Sequence, residues 1–158
     1  MRRDEGGSAA ILVVVLLPLL LTIVTGVVQL GAIRLLAARV ASAADLATLA
    51  ATDDQDAGEL VRTGTLRLAP DAEAVARAYF ALNLRQIAPH LAITPEDAAA
   101  QADVASFPSV PVVDPLTGWR YDHPTVRIAA TVPVRTPAFG PLFSPTTLVS
   151  VRAASAPR

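Results

Sequence analysis

The sequence predicts an α+β protein: a long amino-terminal transmembrane helix that continues out of the membrane, then a small domain of one or two helices on an antiparallel sheet. Three observations carry this. No charged residue occurs from Gly6 to Ile33. Two helical patterns follow, Leu35 to Ala51 and Asp71 to Ala88. The last third alternates apolar and polar residues, as half-buried strands do. Helices first and strands after is an α+β order.

The uncharged run sets the first element. As helix, Ala9 to Ile33 would be roughly 37 Å long, enough to cross a hydrocarbon core of about 30 Å with some tilt. Its Leu, Ile and Val residues each favour insertion by roughly 0.3 to 0.6 kcal/mol. Pro18, Thr22, Thr25 and Gln29 subtract from that sum without reversing it. A membrane helix tolerates Pro18 by local repair of the freed carbonyl, and Thr22, four residues on, is the candidate for it. Ala41-Ser42-Ala43 resembles a signal-peptidase site. However, the apolar run is about twice the usual 7 to 15 residues, and Arg34 and Arg39 intervene. A buried core helix fits poorly, because nearly every face is apolar. A retained anchor is the reading adopted.

The expected division is a cytoplasmic tail over 1–8, a transmembrane helix over 9–33, a helix extension over 34–52 and an extracytoplasmic domain over 53–158. Arg2 and Arg3 at one end balance Arg34 and Arg39 at the other, so charge does not orient the span. The short tail cannot hold a domain, and it is placed in the cytoplasm with the rest outside, mainly because that suits a small anchored exported domain.

Composition excludes several functions. Of 158 residues, 13 are basic and 14 acidic, a net charge of −1 that argues against nucleic acid binding. All the basic residues are Arg, which reads as the codon usage of a GC-rich genome. The chain has no Cys, so disulfides, thiolate metal sites and a cysteine nucleophile are ruled out.

In Leu35 to Ala51, Ala43, Ala47, Ala50 and Ala51 form a stripe of small residues that allows close helix approach. It would pack on the chain's own domain or on another subunit's helix. Thr52-Asp53-Asp54 and Gly58 break the pattern. In the second helix Asp71 is an N-cap and Pro89 a stop. Val75, Ala76, Tyr79, Phe80, Leu82 and Ile87 lie on one side, with Glu73, Arg77 and Arg85 opposite. Thr94-Pro95-Glu96-Asp97 starts a short helix. Val110 to Val113 and Trp119 to Tyr121 flank Asp114-Pro115-Leu116-Thr117-Gly118, a hairpin loop. From Thr125 to Arg135, Val126, Ile128, Ala130, Val132 and Val134 share one face, with Arg127, Thr131 and Arg135 on the other. Pro133 removes a ladder donor, which puts that end at an edge or beyond the pairing. Thr146 to Ala156 is the last strand, with Val149, Val151 and Ala153 on one face.

Gly7, Pro18, Gly31 and the run Ser42-Ala43-Ala44-Asp45-Leu46-Ala47-Thr48-Leu49-Ala50-Ala51 fall at the spacing of a known family. Over about residues 6 to 52 the chain resembles the Tad (tight adherence) pilus-assembly proteins of the TadE/TadG type. The tail from Val132 to Phe143 and the closing strand are similar too. Two departures stand out. Gln29 replaces a common acid, and Gly6 replaces Arg. Neither Gly6 nor Gly7 has the Glu five residues on that a prepilin peptidase requires, so an unprocessed TadG-like anchor is expected.

Metal or catalytic chemistry finds little support. His90 and His123 lack zinc-ligand spacing and read as structural. Asp53, Asp54 and Asp56 fail the calcium-loop pattern and read as helix termination and capping. No nucleophile elbow, phosphate loop or dinucleotide fingerprint occurs. An enzyme is not expected, and neither is a cofactor. The candidate assembly residues are Pro18, Gly31, Ala43, Asp45, Ala47 and Ala51. A second candidate patch, for a partner or a membrane surface, is Phe139, Leu142 and Phe143. The resemblance implies a single-pass protein of the bacterial cytoplasmic membrane. It would work by protein contacts in a Tad/Flp-type pilus or related secretion apparatus, as a minor pseudopilin or assembly factor. Its partners would be the lipid bilayer and other single-span subunits, in homo- or hetero-oligomers. The alternative is an anchored, exported binding domain for a ligand or the cell envelope. A third reading is an exported enzyme with an unrecognised site.

Overall fold

The computed structural model describes residues 5–53, 55–64, 67–136 and 144–157, with side chains from Leu12 onward except that of Ala57. Helix α1 runs unbroken over Glu5–Asp53, 49 residues, and passes through Pro18. Its two halves meet different surroundings. The large apolar side chains from Leu12 to Val28 are all exposed. From Gln29 a buried stripe begins, with Leu36, Val40, Ala43, Ala44, Ala47, Thr48, Ala51 and Thr52. Steps of three and four keep these residues on one face of a 3.6-residue helix. The Thr22 hydroxyl donates to the Pro18 carbonyl at 2.8 Å. The carbonyl that Pro18 deprives of a donor belongs to Val14, so the expected repair does not occur. The bond instead satisfies the Thr22 hydroxyl within an apolar stretch.

Helix α2 (Ala57–Thr63) was not expected. Asp56 caps it, accepting from the Glu59 amide at 3.0 Å, and Gly64 closes it with φ 69°. Gly58 therefore lies inside a short helix and does not act as a breaker. Helix α3 (Ala72–Leu84) passes into a 3₁₀ turn over Arg85–His90 that carries Pro89. Asp71 holds the N-cap position without a side-chain capping bond. The buried face is Ala72, Ala76, Phe80, Leu84 and Ile87, whereas Tyr79 and Leu82 are exposed. Packing thus turns the helix away from Tyr79, which the 100° wheel places on the apolar side, and toward Leu84. Helix α4 (Pro95–Gln101) starts as predicted, with Thr94 Oγ1 accepting from the Asp97 amide at 3.1 Å.

Strand β1 (Asp103–Phe107) was also missed. It pairs antiparallel with β4 (Thr125–Arg135), which pairs antiparallel with β5 (Thr146–Ser155), so β4 is central. Strands β2 (Val112–Val113) and β3 (Arg120–Tyr121) form a separate hairpin around the predicted loop. The Gly118 φ of 71° is the left-handed conformation that loop needs. Val126, Ile128, Val132 and Val134 on β4 and Val149, Val151 and Ala153 on β5 are buried, as the alternation required. Pro133 sits opposite Leu148, inside the β4–β5 ladder. Its carbonyl turns the other way to accept from the Ala92 amide at 2.9 Å. The missing N–H shares that direction, so no β4–β5 rung is lost.

Helices α1 and α3 lie on the sheet, and the core is their shared interior, centred on Phe80, Leu84, Val40, Ile128 and Val132. The alanines of α1 let α3 and β5 approach closely, so the second half of α1 is a core element of the domain. A fragment starting at residue 53 would lack it. Phe80→Ala is expected to lower unfolding stability by about 3 to 5 kcal/mol. Leu82→Ala should change it by no more than about 0.5 kcal/mol. Denaturant titration of the full chain in detergent micelles measures both.

Candidate functional site

Helix α1 supplies the surfaces available for contact. Ala43, Ala47 and Ala51 face inward, against α3 and the sheet. Of the two packing roles read for this stripe, contact within the chain's own domain is the one it fills. Asp45 points outward and forms no ion pair among the described residues. Arg34 and Arg39 are exposed as well. Only the Asp45 backbone carbonyl is engaged, accepting from the Thr48 hydroxyl at 2.9 Å. That hydroxyl also meets Ser155 Oγ at 2.9 Å, tying α1 to the end of β5. Gly31 is exposed, and a Cβ there would meet nothing within 4 Å. No contact among the described residues requires glycine at that position. Pro18 lies in the exposed apolar half. Phe139, Leu142 and Phe143 lie outside the described residues.

The outward face of α1 continues past its exposed Leu35 to Leu46 and Leu49, both also exposed. Helix α3 runs antiparallel beside it, with Asn83 and Ile87 near Arg39 to Leu46 and Tyr79 near Leu49 and Asp53. Between the two helices lies a shallow groove of about 530 Å³, walled by Leu46, Leu49, Tyr79 and Asn83. Arg39 stands at one end of the seam and Asp53 at the other.

Gln29 opens the buried stripe with 6% of its surface exposed, and its Oε1 has no donor. An unsatisfied buried acceptor costs about 1 to 3 kcal/mol. Position 29 is therefore covered within this chain.

The strongest electrostatic feature is one the alternation pattern hid. Arg127 was assigned to the solvent face of β4, yet its side chain is only 4% exposed. The β2–β3 hairpin covers that face and brings Asp114, which is fully buried, over the guanidinium. Arg127 Nε stands 3.0 Å from Asp114 Oδ2, and Nη2 donates to Asp103 Oδ2 at 3.3 Å. The Nε–H is not aligned for a hydrogen bond to Asp114, and Nη1 has no acceptor. Asp114 also accepts from the Leu116 amide at 2.9 Å and the Thr117 hydroxyl at 2.7 Å. Burial raises the cost of its charge. The Thr117 hydroxyl, the Leu116 amide and Arg127 outweigh that and hold its pKa below the ordinary 3.8. Burial, and then Asp114, push the neighbouring Tyr121 hydroxyl above its ordinary 10.0. Asp-x-x-Thr-Gly at a hairpin tip was the available signal for Asp114. Nothing local marked Arg127.

This pair reads as structural, because it is sealed from solvent. No group of three or more metal-ligating side chains occurs among the described residues. His90 and His123 are exposed and separate. Asp114→Asn should destabilise the domain by about 3 to 5 kcal/mol at neutral pH, since it strands a buried cation. A carboxyl with a depressed folded pKa contributes stability above its unfolded pKa and loses it as pH falls through the folded one. The gap between wild type and Asp114→Asn should therefore narrow below about pH 4. Unfolding titrations at pH 7 and pH 3 check this.

Residues 7–58 match the family model described as "Putative Flp pilus-assembly TadE/G-like". No curated protein and no solved structure matches the chain. The matched segment is α1 almost in full, together with the turn into α2. The amino-terminal third of this chain is thus similar to the TadE/G-like family, and the apolar helix that carries the match is long enough to cross a membrane.

Proposed function

We propose that this chain is a single-pass component of a Tad/Flp-type pilus or related secretion apparatus. It acts through protein contacts, without turnover, as a minor pseudopilin or assembly factor of the TadE/TadG kind. Its amino terminus lies in the cytoplasm, and its α+β domain stands outside the cytoplasmic membrane. The observation that carries this reading is the coincidence of the family match, residues 7–58, with one unbroken helix, Glu5–Asp53. The first half of that helix is apolar and uncovered. The second half holds a domain rigidly at a fixed height.

Gly31 supports a helix partner, because open space surrounds it and a second helix can approach there closely. Leu46 and Leu49 leave an apolar seam beyond the membrane. Inserting a residue near Ala47 would shift the buried stripe by about 100° and damage the chain's own core, so it does not test assembly. Gly31→Leu and Asp45→Leu do, since both sites are exposed.

Both variants should insert and fold like wild type, with loss of at least about tenfold in crosslinks to other single-span subunits, a coupling of about 1.4 kcal/mol. Photocrosslinking from position 49 in native membranes, scored together with piliation, measures this. Unchanged crosslinking and normal piliation in both stable variants would count against the reading. Capture of a small ligand in the α1–α3 groove, with no helix adducts, would favour an anchored binding domain.

A further inference from the structure

The two ends of the sheet stand at different heights along α1. Ser155 is tied to Thr48, while Ala156 and Pro157 lie beside Thr52 and Asp53. Strand β5 therefore runs in the same direction as α1. Going back from Ser155 to Thr146 covers roughly 30 Å of strand at about 3.3 Å per residue. That equals about twenty residues of helix, and fewer if the strand crosses obliquely. By that reckoning Thr146 and its register partner Arg135 come level with the part of α1 that follows Val28. Helix α3 leads to the same height by another route. It descends along α1 until Ile87 lies beside Arg39, and Leu91, beyond it, bridges to Val134. The burial of Gln29 marks the same level, since the large apolar side chains before it are exposed.

On the proposed span, the hydrocarbon core would also end close to that level. Counted from Ala9, about twenty apolar residues fill a hydrocarbon core and reach Val28. The charge at this end suits a headgroup layer. Arg34, Arg39 and Arg135 are exposed and form no ion pair among the described residues. Of the nearby acids, Glu96 is paired with Arg85 at 2.8 Å. Asp97 accepts from the Thr94 hydroxyl at 2.7 Å and shares a hollow with Arg135. Asp53 and Asp56 stand at the far end, beyond Thr48, and so does Asp114 in the hairpin over Arg127.

We infer that Arg135 and Thr146, facing each other at one end of the β4–β5 ladder, form with Arg34 a second membrane contact seated on anionic lipid headgroups. The domain then stands upright on the bilayer that α1 crosses, with the β2–β3 hairpin and Trp119 farthest from it. This rests on α1 spanning the membrane, and the test separates the two claims.

The absence of Cys allows single-site labelling of the full chain. Thr146→Cys, Trp119→Cys and Leu16→Cys, each carrying a fluorophore, are reconstituted in vesicles of phosphatidylcholine with or without phosphatidylglycerol. Headgroup-linked nitroxide should quench the label at 146 at least threefold more than the label at 119. Omitting phosphatidylglycerol, or introducing Arg34→Gln with Arg135→Gln, should halve the quenching at 146. Acyl-chain nitroxide should quench the label at 16 throughout. Equal quenching at 146 and 119, with 16 still quenched, overturns the seat and leaves the span intact. Quenching at 146 that ignores both the anionic lipid and the two arginines overturns the headgroup assignment. An unquenched label at 16 removes the span itself.

Discussion

A helix that leaves a bilayer must exchange lipid for some other cover on its apolar face, and α1 makes that exchange on its own domain. From Gln29 to Thr52 one face carries mostly small or apolar residues, and α3 with β5 covers it. The covering is close because the stripe is largely alanine. Helix and sheet then approach nearer than Leu or Ile would permit. The rest of the architecture depends on this arrangement. Without α1 the sheet would expose Val132, Val149 and Val151, and α3 would expose Phe80 and Leu84.

The other side of the sheet is managed by a different device. A short hairpin folds over β4 and buries Asp114 against Arg127. Taking both charges out of water is unfavourable, and the attraction offsets it only with further hydrogen bonds. Asp114 has those from Leu116 and Thr117, whereas Arg127 is incompletely served. The pair therefore fixes where the hairpin sits more than it adds stability. Helix on one face and hairpin on the other leave apolar side chains exposed on the outer side of α1 and along the α1–α3 seam, as they also are at Val61, Trp119 and Leu148.

Much of this could be read from the residues. The uncharged run, the β4 and β5 alternation, the Thr94-Pro95 start and the Asp114–Gly118 turn each follow from local chemistry, and each appears where expected. What escaped depends on tertiary context. Strand β1 is short and has weak alternation, and it is a strand because β4 offers it an edge. Helix α2 spans seven residues with a Gly in its first turn and exists through its Asp56 and Gly64 caps. Arg127 sits at a solvent-facing position by period, and only the hairpin's return path buries it. A small-residue stripe does not name what covers it, so the residues alone leave α1's alanines open between the chain's own domain and a neighbour. Asp45 and Gly31 lie outside that stripe and are exposed.

The central claim is that one rigid helix joins the membrane to the domain core. The most direct test is the distance between spin labels at Val14→Cys and Leu46→Cys in the full chain in lipid bilayers, by pulsed electron resonance. Thirty-two residues of continuous helix predict a narrow distribution near 48 Å, at ~1.5 Å per residue. A broad distribution, or one centred well below about 40 Å, would mean a break between span and domain and would contradict the account.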